Sequence, residues 1–303
     1  MNIGKRLLLL NNSGGDTIKF ILLSDAHVIA EAADDPSYPN LTSPPMYFYT
    51  ARKKLEIVKN KINEIEPDAV LFLGDAINYQ GYEDSFDMFM QYWNAIDPNI
   101  PKSISAGNHD YAYNADYDTE SHGMSLEEYT AYKLGYGDRT TIAGSKFNES
   151  FSVNSGSLSV RFINFDTNWD SNYRHSSSGG YIPSDEIAWI RSVLASSTDD
   201  VVFLYSHRGA SKGATSYLNA TDREAFENML VSVSQENPKP KIIYLYGHSH
   251  TPQLWQGYTN IGNFETYNCS ALVDNASSQY YVFTVNKNGV VSIETLWANY
   301  NAV

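Results

Sequence analysis

Residues 241–250 read Lys241-Ile242-Ile243-Tyr244-Leu245-Tyr246-Gly247-His248-Ser249-His250. The first six, rich in aliphatic and aromatic side chains, read as a buried strand. A glycine then lets the chain turn sharply, and two imidazoles follow at once. The same arrangement recurs upstream. Ile21-Leu22-Leu23-Ser24 runs into Asp25-Ala26-His27, and Val70-Leu71-Phe72-Leu73 into Gly74-Asp75. Ser103-Ile104-Ser105 runs into Ala106-Gly107-Asn108-His109-Asp110, and Val202-Phe203-Leu204-Tyr205 into Ser206-His207-Arg208. Five of the seven histidines fall within these five segments. Ligands of open α/β sheets gather outside the C-terminal ends of the strands. The pattern therefore predicts an α/β fold with one site at its strand ends.

Working outward, strands are expected at Lys19–Ser24, Ala69–Leu73, Lys102–Ser105, Phe147–Val153, Leu158–Phe165, Val201–Tyr205 and Lys241–Tyr246. Helices lie between several of them. Ala51, Leu55, Val58, Ile62 and Ile65 recur at helical spacing, with Lys53, Lys54, Lys59 and Lys61 off that face. Ile187, Ile190, Val193 and Leu194 mark a second helix, opened by Pro183-Ser184-Asp185-Glu186. Ala225, Phe226, Met229, Leu230 and Val233 mark a third, with Thr221-Asp222-Arg223-Glu224 as its capping box. Gln279–Asn286 and Val290–Trp297, joined by a turn at Asn288-Gly289, read as a closing antiparallel hairpin. The expectation is one domain over residues 1–303.

The chain has 303 residues, 42% hydrophobic and 18% charged, a balance that supports a core and argues against disorder. No apolar run reaches the ~18 residues of a membrane span. Lys5-Arg6 and Leu7–Leu10 are cut short by Asn11-Asn12-Ser13, too soon for a signal peptide, and read as a short strand and turn. A soluble, cytoplasmic protein is expected. A net charge of −14 disfavours nucleic acid, whose phosphates call for a basic face.

The single cysteine, Cys269, excludes disulfide frameworks, zinc ribbons and thiol redox pairs within one chain and reads as a small buried apolar residue. The strand-end set offers imidazole, carboxylate and amide oxygen instead. Those donors suit Mn, Fe, Zn, Co or Ni. They are too many for one four-coordinate ion. Two divalent or trivalent ions ~3.5–4 Å apart and sharing a carboxylate would use them, and would clamp both oxygens of an in-line phosphoryl displacement.

Asp25-Ala26-His27, Gly74-Asp75, Gly107-Asn108-His109-Asp110, His207 and Gly247-His248-Ser249-His250 together resemble the five signature blocks of the calcineurin-like metallophosphoesterases. The blocks span residues 25–250. The resemblance implies a four-layer α/β/β/α sandwich and a dinuclear metal site. It implies that Asp25, His27 and His250 hold one metal, that Asn108, His207 and His248 hold the other, and that Asp75 bridges them. It further implies a bridging hydroxide as nucleophile, His109 as the group protonating the leaving oxygen, and Asp110 as the residue orienting that imidazole.

Asn78 stands where purple acid phosphatases carry a tyrosine, and His27 is present where they lack a histidine, so that subfamily is disfavoured. Residues 179–207 are similar to the corresponding stretch of class III cyclic-nucleotide phosphodiesterases and of manganese-dependent ADP-ribose/CDP-alcohol diphosphatases. The resemblance thus implies hydrolysis of a small phosphodiester or pyrophosphate-type substrate. Phosphomonoesterase or protein phosphatase, nuclease, and a non-catalytic binding scaffold are the competing readings. His207-Arg208-Gly209 departs from the family habit of a proline two residues after that histidine.

Outside the blocks, Arg208 reads equally as a substrate-phosphate contact or as half of a surface salt bridge. His175, with Arg174, lies in a Ser/Gly-rich loop that would overhang the site or simply be solvated. His122 reads as structural or exposed. Tyr111 and Tyr113 would stack on a base or pack in the interior. Asp166, at a strand end, would support the site or cap its own loop.

Overall fold

The computed structural model describes residues 16–29, 46–78, 83–110, 148–169, 180–209, 218–251, 254–257, 264–272 and 278–298. The first sheet has the order β11-β10-β1-β2-β3. It contains β1 (Thr17–Leu23), β2 (Ala69–Phe72), β3 (Lys102–Ile104), β10 (Gln279–Asn286) and β11 (Val291–Trp297). The second has the order β4-β5-β6-β7-β9-β8. It contains β4 (Glu149–Ser155), β5 (Leu158–Asn164), β6 (Val201–Ser206), β7 (Lys241–Thr251), β8 (Trp255–Gly257) and β9 (Phe264–Ser270). Helices α1 (Met46–Ile65) and α2 (Glu83–Asn94) cover one sheet, and α3 (Ser184–Ser196) and α4 (Ala220–Glu236) cover the other.

Strand periodicity builds the layers. Side chains alternate between sheet faces. In β1, Ile18, Phe20 and Leu22 therefore enter the layer between the sheets, while Ile21 and Leu23 meet α1 and α2. In β6, Val201, Phe203 and Tyr205 face the same central layer, and Val202 and Leu204 meet α3 and α4. Three apolar layers separate four structural layers, as the expected α/β/β/α sandwich requires. The hairpin of β10 and β11 is antiparallel and joins the first sheet through β1. Strands β1, β2 and β3 are mutually parallel, as are β5, β6, β7 and β9, so their C-terminal ends share one rim.

Several features depart from the sequence reading: β8 is a further strand, and β7 runs on through His248 and His250 to Thr251 rather than ending at Tyr246. Helix α2 was not expected, although Phe86, Phe89, Met90 and Trp93 have helical spacing and are buried. Strand β9 was not expected because its buried face, Phe264, Thr266 and Asn268, is largely polar. The cap of α4 is Asn219, whose side chain accepts the Thr221 N–H, so the helix starts ahead of the Thr221–Glu224 box. The reading of Lys5–Leu10 lies outside the described residues. No helix among the described residues is long and apolar enough to cross a membrane.

The central layer is aromatic. The Phe20 ring lies 5.1 Å from Phe162, 4.7 Å from Phe203 and 4.9 Å from Phe283, linking β1 to β5, β6 and β10. Phe20→Ala should cost about 3–5 kcal/mol in urea unfolding. A loss below about 1 kcal/mol would contradict the role given to this layer.

Candidate metal centre

The site forms where backbone pairing continues past the strands. Asp25 N–H bonds to Gly74 C=O at 3.0 Å, and His27 N–H to Asp75 C=O at 3.0 Å. Gly247 N–H bonds to His207 C=O at 2.9 Å, tying the exits of β6 and β7. Six non-glycine residues among those described have left-handed backbones. Five belong to the expected ligand set: Asp25 (φ 52°), His27 (46°), Asp75 (54°), His248 (68°) and His250 (47°). Such backbones cost on the order of 1 kcal/mol or more each and concentrate at functional sites. The glycines serve two purposes. Gly74 is itself left-handed (φ 95°), whereas Gly107 and Gly247 give close approach. A Cβ on Gly107 would collide with the Asp75 backbone and carboxylate, and one on Gly247 would sit 2.7 Å from Asp25 Oδ2.

Two groups of donor atoms meet at Asp75. In the first, His27 Nε2 lies 3.0 Å from His250 Nε2 and 3.8 Å from Asp25 Oδ1. His250 Nε2 is 3.5 Å from the same Asp25 oxygen. In the second, His207 Nε2 lies 3.1 Å from Asn108 Oδ1 and 3.1 Å from His248 Nδ1. Asp75 Oδ2 touches both groups, 3.7 Å from His27 Nε2 and 3.1 Å from His207 Nε2. Asp75 Oδ1 is occupied by the His109 N–H at 2.9 Å. Asp25 is divided in the same way. Its Oδ2 accepts from Ser24 Oγ and from His248 N–H, while its fully buried Oδ1 accepts no hydrogen bond.

This donor set fits metal ions. His207 Nδ1–H donates to Leu73 C=O at 2.8 Å, which turns the Nε2 lone pair inward in the neutral ring. Around it stand Asp75 Oδ2, Asn108 Oδ1 and His248 Nδ1, all acceptors in their ligating forms. A buried cluster of lone pairs needs positive charge among them. Asp25, His27 and His250 form one candidate metal group, Asp75, His207 and His248 a second, and His27, Asp75 and His109 a third. Thiols are absent, so hard or borderline cations are preferred.

Electrostatics acts strongly on these groups. Burial pushes the Asp25 carboxyl up, but the His250 ring and the charge of His207 outweigh it and hold it at about 2. Burial acts likewise on Asp75, and the charges of His207 and His109 hold it well below the usual carboxylate range. Burial lowers His27 to about 4 despite Asp75 and Asp25. Burial and the charge of His207 lower His248 to about 3. His207 is the exception. Burial lowers it, but Asp75 more than compensates, and its pKa is raised.

Asp110 does not orient His109. Its two oxygens accept backbone N–H groups from Asp75 (3.0 Å), Ala76 (2.7 Å), Ile77 (3.3 Å) and Gly107 (2.8 Å). It clamps the β2 and β3 exits together, and burial with the charge of Asp75 raises its pKa to about 6. The partner of His109 Nδ1 is the Asn78 carbonyl, an interaction invisible in sequence because it uses a main-chain atom. Arg208 is buried, 6% exposed, and so does not lie at the surface. Its Nε donates to Asn168 Oδ1 at 3.2 Å, and its charge opposes the rise at His207 and adds to the fall that burial and His207 cause at His248. Asp166 Oδ1 accepts from Asn168 N–H at 2.9 Å, so it caps its own loop. Cys269 is buried, and burial raises its thiol well above the ordinary value. His175, Arg174, His122, Tyr111 and Tyr113 lie outside the described residues. Asn168 went unnoticed, although Asp166-Thr167-Asn168 is a further polar run directly after an apolar strand.

A family model described as calcineurin-like phosphoesterase matches residues 18–252. No curated protein matches the chain in sequence. Solved structures similar in fold include a dimetal phosphatase from Danio rerio, at 13% identity and TM-score 0.60, covering 93% of this chain and 99% of that one. A purple acid phosphatase from yellow lupin has 15% identity and TM-score 0.60, covering 94% and 52%. A 5'-nucleotidase from Staphylococcus aureus, described as putative, has 14% identity and TM-score 0.57, covering 94% and 55%. At these identities the likeness is one of fold.

Metal uptake should displace a proton from His207, whose pKa Asp75 raises against the effect of burial in the metal-free protein. His27 and His248, at about 4 and 3, should release none. Metal affinity should therefore fall as pH drops through the raised pKa of His207. Calorimetry in buffers of unlike ionisation heat should show the His207 share of proton release diminishing as pH rises past that raised pKa. Proton release that does not change with pH would contradict this assignment.

Proposed function

The chain belongs to the calcineurin-like phosphoesterase family of hydrolases, and from that premise we propose a dinuclear phosphohydrolase acting on a small phosphodiester or pyrophosphate-type substrate. The observation that carries this reading is the sharing of Asp75 Oδ2 between two lone-pair clusters. Asp25, His27 and His250 would hold one ion, Asn108, His207 and His248 the other, and Asp75 both. Two such cations supply Lewis-acid charge for a phosphoryl group and acidify water.

The chain's own residues do the rest. His27, Asp75 and His207 lie deep, at 4%, 2% and 0% side-chain exposure, whereas His250 is 36% exposed. Substrate therefore approaches over His250, His248 and His109. His109 Nδ1–H is held by the Asn78 carbonyl, so its Nε2 is the atom left to protonate a leaving oxygen. The buried Arg208 guanidinium adds fixed positive charge beside His207 and His248, favourable to a phosphate oxygen. The preference for diesters and pyrophosphates rests on the sequence likeness of residues 179–207, and the preference for small substrates on the net charge of −14. The chain is taken as one domain because both sheets share a central layer and both furnish ligands.

With Mn²⁺ and bis(p-nitrophenyl) phosphate, Asp75→Asn should abolish hydrolysis. His109→Ala should lower kcat about 10²–10⁴-fold on diesters with poor alkoxide leaving groups, and less when p-nitrophenolate leaves. Comparison with p-nitrophenyl phosphate separates diesterase from monoesterase. Full activity in purified Asp75→Asn would overturn the proposal.

A further inference from the structure

We propose that Asn168 is a positioning residue that sets the Asn108/His207/His248 half of the centre. The inference rests on the dinuclear reading above. Asn168 follows β5 in the second sheet and is fully buried. Its Nδ2 donates to the Ala106 carbonyl at 2.7 Å, two residues before Asn108, where the chain leaves β3 of the first sheet. Its Oδ1 accepts from Arg208 Nε at 3.2 Å, one residue after His207, where the chain leaves β6. One amide thus ties together, across two sheets, the exits that carry Asn108 and His207. Those two ligands stand 3.1 Å apart, a spacing that no direct backbone pairing between β3 and β6 enforces.

The bridge is anchored at both ends. The Asn168 amide plane is held by Asp166 Oδ1, which accepts from its N–H at 2.9 Å and from its Nδ2 at 3.2 Å. Asp166 is fixed by its own N–H, which donates to Glu186 Oε1 at 2.8 Å and Asn148 Oδ1 at 3.1 Å. On the other side, Arg208 N–H donates to Thr167 Oγ1 at 3.0 Å. The Arg208 carbonyl accepts from Ser206 Oγ at 2.9 Å and Tyr244 Oη at 2.8 Å. The 206–208 turn is thereby held without the proline two residues after His207. Among the described residues, the Asp25/His27/His250 half is held differently. It is braced by Ser24 Oγ and His248 N–H, both on Asp25 Oδ2.

The asymmetry makes the idea testable by metal binding alone. Metal-free full-length protein is titrated with Mn²⁺ by calorimetry. Wild type should take up two equivalents. Asn168→Ala should weaken one of them about 10–100-fold, as loss of an outer support does, and leave the other unchanged. The effect should be non-additive with Asn108→Ala and additive with His250→Ala, since only the first pair share a half-site. Asn168→Asp, isosteric but lacking the donor to Ala106, should weaken the same equivalent and is the fallback if Asn168→Ala does not fold. Two unchanged equivalents in either variant, or both weakened alike, would overturn the inference alone. Fewer than two equivalents in wild type would overturn the dinuclear reading and this inference with it.

Discussion

A buried carboxylate oxygen that faces imidazole nitrogens from two directions is stabilised by positive charge between them, whether a proton on an imidazole or a bound cation. Asp75 Oδ2 is in that position, 3.7 Å from His27 Nε2 and 3.1 Å from His207 Nε2. Much of the surrounding structure maintains it there. The Asp75 backbone is left-handed, the neighbouring Gly107 has no room for a side chain, and the Asp110 carboxylate receives the N–H groups of residues 75–77. A carboxylate cradled by backbone donors holds its loop to a fixed shape, and that shape presents Asp75 to both clusters.

The sandwich supplies the setting. Parallel strands from two sheets end along one rim, and the central aromatic layer fixes how the sheets face each other. Asp25, Asp75 and Asn108 come from the first sheet, whereas His207, His248 and His250 come from the second. The centre therefore spans the seam, and its geometry depends on cross-sheet contacts. Some are apolar, such as Phe20 against Phe203. Others are polar, such as Ser105 Oγ on Asn164 Oδ1 at 2.6 Å and Asn168 on Ala106. Polar cross-links specify one register, where an apolar layer alone would tolerate sliding.

The candidate residues stood out because short apolar runs are followed at once by Asp, Asn or His, although β7 runs on through His248 and His250 to Thr251. The alternation of runs and helices gave an α/β fold with a closing hairpin, and the four layers came only with the family resemblance. What escaped the sequence has physical causes. Helix α2 has clear helical spacing but no strand-end motif to draw attention to it. Strand β9 buries Thr266 and Asn268, so hydrophobic alternation does not reveal it. Asp110 resembled a partner for His109 because the two are adjacent. Adjacency in sequence says nothing about side-chain direction in a turn, and the imidazole instead met a main-chain carbonyl 31 residues away. Arg208 was undecided because burial of a long cation depends on what folds over it.

The central claim is that cations lie on either side of Asp75. Anomalous X-ray diffraction from crystals grown with Mn²⁺ reads this directly. Two peaks are predicted, one among Asp25, His27 and His250 and one among Asn108, His207 and His248, both within ligand distance of Asp75 Oδ2. A folded protein with no anomalous peak beside that oxygen would contradict the account.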